Sequence, residues 1–405
     1  MNILYIAYSC TPNKGSEEKI GWNIVTENAK TNSVFVVTKE EHRKNIEQYL
    51  LDHPIENIKF YYVDIPKIYK LIFKGIAYSI RLNIWLKKSF ATVEQICKEE
   101  KIDIIHQITP VEFRSIGDYY KIPNTRFVCG PLGGGEFIPK GLEPYAKGNN
   151  LVEYLRLILN SWAKIKYKVN RKFQHCNYVF FANDETRQYL LNLLDKTKHS
   201  ILSDTGISES DIETQSRNFI KNEEKIIFLV AGRLAYRKGH RLLLDALSQL
   251  PENIDYQCRI VGNGPEEERL KQLVKKYKLD DKVVFTGRIP FSDTIEEYNN
   301  ADVFIMPSIR ETTGSVLLEA MSKGLPVITL NHFGGKVLLN DETAWLLDGN
   351  TKEEYIEALK CAIVQCCTES SEVIRKSENA RQKATQHTWG NKVAFYNSIY
   401  KEIVE

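Results

Sequence analysis

The sequence predicts an α/β protein made of two doubly wound, Rossmann-like domains. Residues 3–8 and 226–231 are uninterrupted apolar stretches, which are typical of parallel strands buried on both faces. Each stretch runs into a glycine-containing loop and then a helical pattern, and a doubly wound domain opens in this way. Residues 205–224 are polar and charged, so we interpret them as the linker between the domains. A chain of 405 residues is long enough for each domain to have its own core.

Composition and charge narrow the class of protein. The chain is 43% hydrophobic and 26% charged, which is ordinary for a soluble α/β protein. A net charge of +3 is too small to indicate nucleic-acid binding by itself. The eight cysteines form no C-x-x-C pair or zinc spacing, so we expect free thiols in a reducing compartment. Residues 3–7 are too short for a signal peptide, and no run of 18 apolar residues predicts a membrane span.

The first domain is expected over residues 1–204. Strands are predicted at 3–8, 34–38, 58–63, 102–107, 126–129 and 178–182, and residues 201–204 close the domain. His106 is expected at the carboxyl end of its strand, where a side chain points into the crevice used for ligands; a buried core histidine is the alternative. The glycine-rich loop at 130–136 would admit a ligand close to the backbone or act as a mobile acceptor loop. Asn183 and the two acidic residues after it are expected to cap a helix.

Residues 67–90 contain six basic residues, five aromatic residues and no acidic residue. On a helix, one stripe would contain Lys67, Lys70, Lys74, Tyr78, Arg81, Trp85 and Lys88. The core-facing side would contain Ile68, Leu71, Ile72, Ile76 and Ile80. A stripe of tyrosine and tryptophan among lysines suits anionic lipid headgroups, although an ordinary solvated face is the alternative. A second basic run at 164–172 supports the same hypothesis of peripheral contact with an anionic membrane.

The second domain is expected over residues 225–385. Strands are predicted at 226–231, 256–261, 283–286, 301–306 and 326–329, and helices at 293–300, 315–323 and 389–404. A turn is predicted at 333–335. Arg233 and Lys238 fall in the first strand-to-helix loop, where such sheets bind phosphate. An arginine can grip phosphate oxygens with two donors, and a lysine supplies a compact charge.

Residues 310–324 are the most informative stretch. Glu311 precedes a predicted helix and Glu319 lies inside it, with small residues between them at 312–315. The unpaired amides and the dipole of a helix N-terminus favour a phosphate. Glu319 follows Ser315 by four residues, about 6 Å along the axis, so its carboxylate would reach a neighbouring ribose. Two ordinary solvated glutamates are the alternative interpretation.

The second domain resembles the retaining glycosyltransferases of family 4, which have the GT-B fold. The matching motifs are G-R at 232–233, K-G at 238–239, V-G-N-G-P at 261–265, G-R-I-P at 287–290, A-D-V-F-I-M-P-S at 301–308 and E-T-T-G-S-V-L-L-E-A at 311–320. The first domain is similar to the family through K-G-S-E at 14–17, His106 and G-P-L-G-G-G-E at 130–136. The resemblance implies two Rossmann-like domains that face a deep cleft, with a C-terminal helix, residues 386–405, packing back on the first domain.

The resemblance also implies roles for matched residues. The implied donor-binding residues are Arg233, Lys238, Arg288, Ile289, Glu311, Thr313, Gly314, Ser315, Val316, Glu319 and Gly15. Among them, the two cations would neutralise the diphosphate, the amides at 314–316 would hold the distal phosphate, and residues 288–289 would meet the base. The implied catalytic residues are Glu311, His106, Arg233 and Lys238. The chain departs from the family pattern at Lys14, where many members have a second glycine, and at 334–340, where the family has a G-G-I-P-E-like turn.

We therefore expect a cytoplasmic enzyme that transfers a sugar from a UDP- or GDP-sugar to an acceptor hydroxyl with retained anomeric configuration. The acceptor would be a glycan or a lipid-linked molecule in surface polysaccharide or glycolipid assembly, and contact with lipid would place the enzyme at the inner face of the membrane. No D-x-D pair or ligand cluster predicts a metal, so no metal or other cofactor is expected. The alternatives are a GT-B nucleotide-sugar epimerase and a nucleotide-sugar-binding module without catalysis.

Overall fold

The computed structural model of the chain describes residues 1–15, 17–66, 68–69, 78–215 and 225–405. It contains two compact units. Unit 1 consists of Met1–Glu136, Leu151–Gly206 and Trp389–Glu405, and unit 2 consists of Phe137–Asn150 and Ile207–Thr388. Residues 137–150, which the sequence analysis assigned to the first domain, thus belong to unit 2. The C-terminal segment Trp389–Glu405 belongs to unit 1.

Unit 1 is built on a parallel sheet of seven strands. The strands are β1 (Asn2–Ala7), β2 (Ser33–Lys39), β3 (Ile58–Val63), β4 (Ile104–Thr109), β5 (Arg126–Leu132), β6 (Tyr178–Phe181) and β7 (His199–Ile201). Their order is β3-β2-β1-β4-β5-β6-β7, and every pair is parallel. The helices are α1 (Glu17–Asn28), α2 (Arg43–Asp52), α3 (Tyr78–Glu99), α4 (Asn150–Val169) and α5 (Asp184–Leu194). Asn183 caps α5 by accepting a hydrogen bond from the Thr186 amide at 2.9 Å, as predicted.

Unit 2 repeats the design with six parallel strands. They are β8 (Ile226–Ala231), β9 (Tyr256–Val261), β10 (Val283–Gly287), β11 (Val303–Met306), β12 (Val327–Leu330) and β13 (Ala344–Leu347), in the order β10-β9-β8-β11-β12-β13. The helices are α6 (His240–Leu247), α7 (Glu267–Lys276), α8 (Phe291–Asn300), α9 (Ser315–Ser322), α10 (Phe333–Leu338), α11 (Lys352–Thr368) and α12 (Ser370–Thr385). The last helix of the chain, α13 (Trp389–Val404), lies in unit 1.

Each sheet is buried on both faces, which explains the uninterrupted apolar strands. Leu4 and Ile6 of β1 lie in one core cluster, whereas Ile3 and Tyr5 lie in another. Successive side chains of a strand point to opposite faces, so both faces of this sheet are covered. The chain order reverses between β1 and β4 in unit 1 and between β8 and β11 in unit 2. Ligands of doubly wound domains bind at the carboxyl ends of the strands beside such a reversal.

The predicted faces of the segment 67–90 are wrong at Trp85, Ile80 and Ile68, whereas membrane contact through this segment stays a prediction. Residues 67 and 70–77 lie outside the described residues. On α3, Trp85 is buried, and its indole nitrogen donates to the Val63 carbonyl at 3.0 Å. Ile80, expected in the core, is 50% exposed, and Ile68 is exposed as well. The segment 78–99 is an amphipathic helix, but the side that contains Trp85 is the one that is buried. A large aromatic ring gains most from burial.

His106 lies in the middle of β4, not at its carboxyl end, and the expectation that it points into a ligand crevice is wrong. The ring is fully buried, and its Nε2 donates to the Gly130 carbonyl at 2.8 Å. Its Nδ1 therefore accepts from the hydroxyl of Tyr400 on α13, and the Tyr400 oxygen lies 3.3 Å from the Tyr5 hydroxyl. Burial lowers the pKa of His106 to about 3, although the bond to Gly130 opposes that shift. His106 is a neutral core residue that ties α13 to the sheet.

Within the described ranges, no helix combines the length and the apolar character needed to cross a bilayer.

Replacing Tyr400 with phenylalanine tests this attachment of α13. Tyr400→Phe should lower the free energy of unfolding by about 2 kcal/mol, because it leaves the buried Nδ1 of His106 without a partner; the Tyr5 hydroxyl keeps its hydrogen bond from Asn28. Tyr396→Phe is the matched control, since the buried Tyr396 hydroxyl has no partner among the described residues and its removal should be neutral or stabilising. Urea unfolding followed by circular dichroism measures both. Equal losses in the two variants would contradict the assignment.

Candidate active site

The candidate site lies at the carboxyl edge of the unit 2 sheet, beside the reversal between β8 and β11. Residues 232–239 connect β8 to α6, and residues 307–314 connect β11 to α9. These two loops lie side by side, since the Arg310 amide donates to the Arg237 carbonyl at 3.2 Å. The arrangement places most of the predicted donor-binding residues on one edge of one sheet.

Glycines allow the backbones of these loops to contact each other directly. Gly239 has a φ of +72°, and a Cβ there would lie 1.7 Å from the carbonyl oxygen of Pro307. Gly262, after β9, approaches the Gly232 carbonyl in the same way, with a Cβ at 2.0 Å. A side chain at either position would require the backbone to move. The G-R, K-G and V-G-N-G-P motifs therefore share a structural cause, which is the close packing of three strand-to-helix loops.

Glu311 is the centre of the charged cluster. Its carboxylate pairs with the Lys238 ammonium and lies 3.4 Å from the Arg237 guanidinium. Burial raises the pKa of Glu311, but the charges of Lys238 and Arg237 lower it by more, so its pKa lies below the ordinary value. The carboxylate is therefore ionised at neutral pH. The sequence analysis missed Arg237, although its position beside Lys238 was a signal.

Arg233 extends the positive side of the site. It is exposed, and it has no ion pair with any residue that the structure describes. Together, Arg233, Arg237 and Lys238 carry three positive charges against the single negative charge of Glu311. The edge therefore has a surplus of positive charge that can attract an anionic ligand.

The N-terminus of α9 opens at the same edge. The helix spans Ser315–Ser322, and Gly314 precedes it with a φ of +84°. Glycine has no side chain to cap the helix, so the first amides, including those of Ser315 and Val316, remain available to an anion. At the other end Gly324 has a φ of +67°, and its amide donates to the Met321 carbonyl at 2.9 Å. This glycine stop confirms the predicted end of the helix.

Glu319 lies on α9 and is held in place by a tyrosine. The Tyr298 hydroxyl, on α8, donates to the Glu319 carboxylate at 3.1 Å, and the Tyr298 ring is buried. A carboxylate oxygen can accept more than one hydrogen bond, so Glu319 keeps capacity for ligand hydroxyls. Tyr298 precedes Glu319 by 21 positions. No local pattern in the sequence could reveal this contact.

Thr313 and Gly334 join the α9 loop to α10. Thr313 is buried, and a Cβ on Gly334 would lie 1.7 Å from its carbonyl oxygen. The sequence analysis expected a turn at 333–335, but the structure has helix α10 there. The two glycines resembled turn residues, whereas Gly334 is required by this close approach. The backbone of Thr313 therefore packs directly against α10.

Two further predicted residues lie near the start of α9. Ile289, after β10, and Val316 are both partly buried against the core cluster that contains Met306. Arg288 is exposed beside Ile289. Partly exposed apolar side chains and a nearby cation are the residue types that contact a planar base.

The predicted residues of unit 1 do not form a comparable cluster. His106 is buried in the core, as described above. Gly15 is exposed, and a Cβ there would meet no atom within 4 Å, so packing does not require glycine. Glu136, in the glycine-rich loop, is buried and accepts hydrogen bonds from the Gly134 amide at 3.0 Å and from Asn183 at 2.7 Å. That loop is closed on itself by its own glutamate.

Metal ions in proteins are held by groups of histidine, cysteine, aspartate and glutamate side chains. Among the described residues, no group of three histidine, cysteine, aspartate or glutamate side chains is positioned to hold a metal ion.

Comparisons with known proteins agree with the motifs. Residues 211–399 match the family model described as glycosyl transferases group 1. WcaL of Escherichia coli strain K12, whose name describes a colanic acid biosynthesis glycosyltransferase, is 31% identical over 170 residues. These residues are 40% of this chain and 41% of WcaL, so the chain spans about two-fifths of the length of this curated relative.

Solved structures resemble the chain over nearly its full length. A glycosyltransferase from Rickettsia africae ESF-5 has a TM-score of 0.67 at 18% identity, and the match covers 100% of this chain and 98% of that one. Anabaena HepE, solved in complex with UDP-glucose, has a TM-score of 0.60 at 16% identity, with 98% and 99% covered. At such identities the likeness shows the fold, and the predicted GT-B fold is confirmed.

The close approach of Gly239 to Pro307 is testable by adding one methyl group. Gly239→Ala should destabilise unit 2 by about 3 kcal/mol or more, because it adds a backbone collision to the penalty of a positive φ. Gly287→Ala is the control, since Gly287 has nearly the same φ, +71°, but no atom within 4 Å of its Cβ position. It should lose only about 1–2 kcal/mol. Thermal unfolding measures both, and equal losses would show that the collision is absent.

Proposed function

We propose that this protein is a retaining glycosyltransferase of the family 4 type, which moves a sugar from a nucleotide diphosphate sugar to an acceptor hydroxyl. The observation that carries the proposal is the cluster of Lys238, Arg237 and Glu311 beside the open N-terminus of α9. The family match over residues 211–399 and the GT-B fold support it.

The diphosphate is the part of the donor that this edge suits best. A diphosphate brings negative charge to a surface with three cations and one carboxylate, and Arg233 and Arg237 can each donate two hydrogen bonds. The amides of Ser315 and Val316 would receive the distal phosphate, along the positive end of the helix dipole. We include no metal ion in the proposal, because these groups supply the charge that a metal would otherwise provide.

The remaining donor contacts follow from the same geometry. Glu319, oriented by Tyr298, would accept hydrogen bonds from the ribose hydroxyls. The apolar side chains of Ile289 and Val316 would contact the base, with the exposed Arg288 next to Ile289. A UDP-sugar is the first candidate donor because HepE, which has the same fold, binds UDP-glucose; a GDP-sugar is the second.

Catalysis would come from stabilising the departing diphosphate. Charge builds up on the leaving phosphate as the bond to the sugar breaks, so fixed cations favour the transition state over the bound substrate. When the donor binds, Lys238 would turn part of its interaction from Glu311 to the phosphate. The carboxylate of Glu311 would then be available to a sugar hydroxyl and to the positive charge that develops on the ring.

The acceptor is proposed by analogy with relatives. WcaL carries a name from colanic acid biosynthesis, a polysaccharide pathway. We therefore propose a glycan or lipid-linked acceptor in the assembly of surface polysaccharide or glycolipid.

A donor screen followed by one charge-neutral substitution tests the proposal. One of the UDP-, GDP- or ADP-sugars should raise the melting temperature, since a ligand bound to the native state stabilises it. Glu311→Gln should leave binding of that donor within about threefold but lower its turnover by about 100-fold or more. Glu267→Gln, which removes the charge of a half-buried carboxylate paired with Lys271 on α7, should leave both unchanged.

The readout is release of nucleoside diphosphate in the presence of glycan and lipid acceptors. Turnover that needs no acceptor and yields an epimerised donor would identify an epimerase instead. Donor binding without turnover in the wild-type protein would identify a binding module.

A further inference from the structure

Helix α4 (Asn150–Val169) presents its apolar side to solvent, which is the reverse of an ordinary surface helix. One stripe along it consists of Leu151, Leu155, Ile158, Trp162, Ile165 and Val169. Their spacing of three and four residues places them on a single face. The exposure is large: Leu151 is 70%, Trp162 61%, Ile165 63% and Val169 80% exposed. Tyr154, which borders the stripe, is 63% exposed.

The opposite side of α4 faces the protein and combines the small apolar Ala163 and the Tyr167 ring with polar side chains. Arg156 donates to the Gly134 carbonyl at 3.0 Å and also to the Glu136 carbonyl. Asn160 is buried and donates to the Gly134 carbonyl at 2.9 Å. These polar side chains hold the glycine-rich loop, which explains why they occupy the inner face. They do not explain why the outer face is apolar.

An apolar stripe of this size indicates an interaction surface. From residue 151 to residue 169 a helix extends about 27 Å, and all six stripe residues along it are exposed. Soluble monomers rarely expose continuous apolar surface on this scale without a function for it.

The charge along the chain after Glu153, which pairs with Arg156, is entirely positive. From residue 154 to residue 183 the chain contains no aspartate or glutamate. Lys166, Lys168 and Arg171 are exposed at the C-terminal end of the helix. The Lys166 ammonium lies 5.6 Å from the centre of the Trp162 ring, so the cations border the apolar face directly.

We propose that α4 docks on an anionic lipid surface, with its apolar stripe in the interface and Lys166, Lys168 and Arg171 among the headgroups. A helix with an apolar face, an aromatic residue and flanking lysines binds such surfaces by burial and by attraction to lipid charge. A second copy of the chain fits less well. A symmetric contact through this face would bring the same cations of both copies together, and like charges repel.

This surface differs from the basic runs identified in the sequence. Lys172 is buried and pairs with Asp118, and Lys164 is half-buried and donates to the Tyr189 carbonyl at 2.5 Å. Neither can face lipid. The docking surface is therefore the outer face of α4, with the exposed part of the 164–172 run at its end. The inference does not rest on the proposed sugar transfer, because lipid binding is measurable without donor or acceptor.

Tryptophan fluorescence offers a direct test. Trp162 is exposed, whereas the other four tryptophans, Trp22, Trp85, Trp345 and Trp389, are buried. Vesicles of equal parts phosphatidylcholine and phosphatidylglycerol, with brominated acyl chains, should therefore shift the Trp162 emission to shorter wavelength and quench it. Trp162→Phe should abolish the quenching but preserve most of the binding measured by vesicle flotation. Quenching that persists in Trp162→Phe would overturn the assignment to this face.

Flotation of surface variants separates α4 from other surfaces. Trp162→Ser and Ile165→Ser should each weaken partitioning into vesicles about tenfold, because each removes one apolar side chain that would be buried in the lipid. Leu51→Ser, which changes a 77% exposed leucine on α2, should have no effect. The pair Lys166→Glu and Lys168→Glu should weaken binding to anionic vesicles about tenfold or more. The exposed pair Lys87→Glu and Lys88→Glu on α3 is its control.

The outcomes that overturn the proposal are distinct. Loss of binding in the α3 pair but not in the α4 pair would return the surface to α3. Equal flotation with and without phosphatidylglycerol, unaffected by the serine variants, would remove α4 from membrane contact. A stable dimer in light scattering, broken by Trp162→Ser and with no vesicle binding, would show that a second copy covers the stripe.

Discussion

The candidate site depends on how closely two loops of unit 2 can approach each other. The backbone of Gly239 lies against the Pro307 carbonyl at a distance that excludes any side chain. This contact brings Lys238, one residue earlier, onto Glu311, four residues after Pro307. Gly262, after β9, lies against the Gly232 carbonyl, after β8, in the same way. A charged cluster on flexible side chains becomes specific only when the backbones that carry it are fixed.

Glu311 then acts as an internal counterion. Its negative charge offsets the repulsion between Lys238 and Arg237 in a partly buried site. With it, both cations are held beside α9 before any ligand arrives, so binding need not order them. In the proposed reaction, an entering diphosphate would compete with Glu311 for the cations. The same carboxylate would thereby become available to the sugar, which would link donor binding to the chemistry.

Local sequence signals, such as unbroken apolar stretches and glycines at the ends of a helix, made much of the fold predictable. Unbroken apolar stretches located most strands of both sheets, although β7 and β13 were not predicted, and Gly314 and Gly324 located α9 to within one residue. Tertiary choices were not predictable: the period of α3 does not say that Trp85 rather than Ile80 is buried, and the strand of His106 does not reveal the Tyr400 contact. Gly334 resembled a turn residue because its reason is a distant carbonyl. For the same reason Tyr298, far from Glu319 in sequence, escaped notice. The sequence also could not show that Arg156 and Asn160 of α4 face inward while its large aliphatic residues face solvent.

The central claim is that Lys238 and the start of α9 act on the same diphosphate, and calorimetry with paired nucleotides tests it most directly. UDP and UMP, or GDP and GMP for a guanosine donor, would be titrated into the wild-type protein, Lys238→Met and the control Lys271→Met, which removes an exposed lysine paired with Glu267. The account predicts that the wild type and the control prefer the diphosphate, and that Lys238→Met reduces this preference about tenfold or more. An unchanged ratio of the two affinities in Lys238→Met would contradict it.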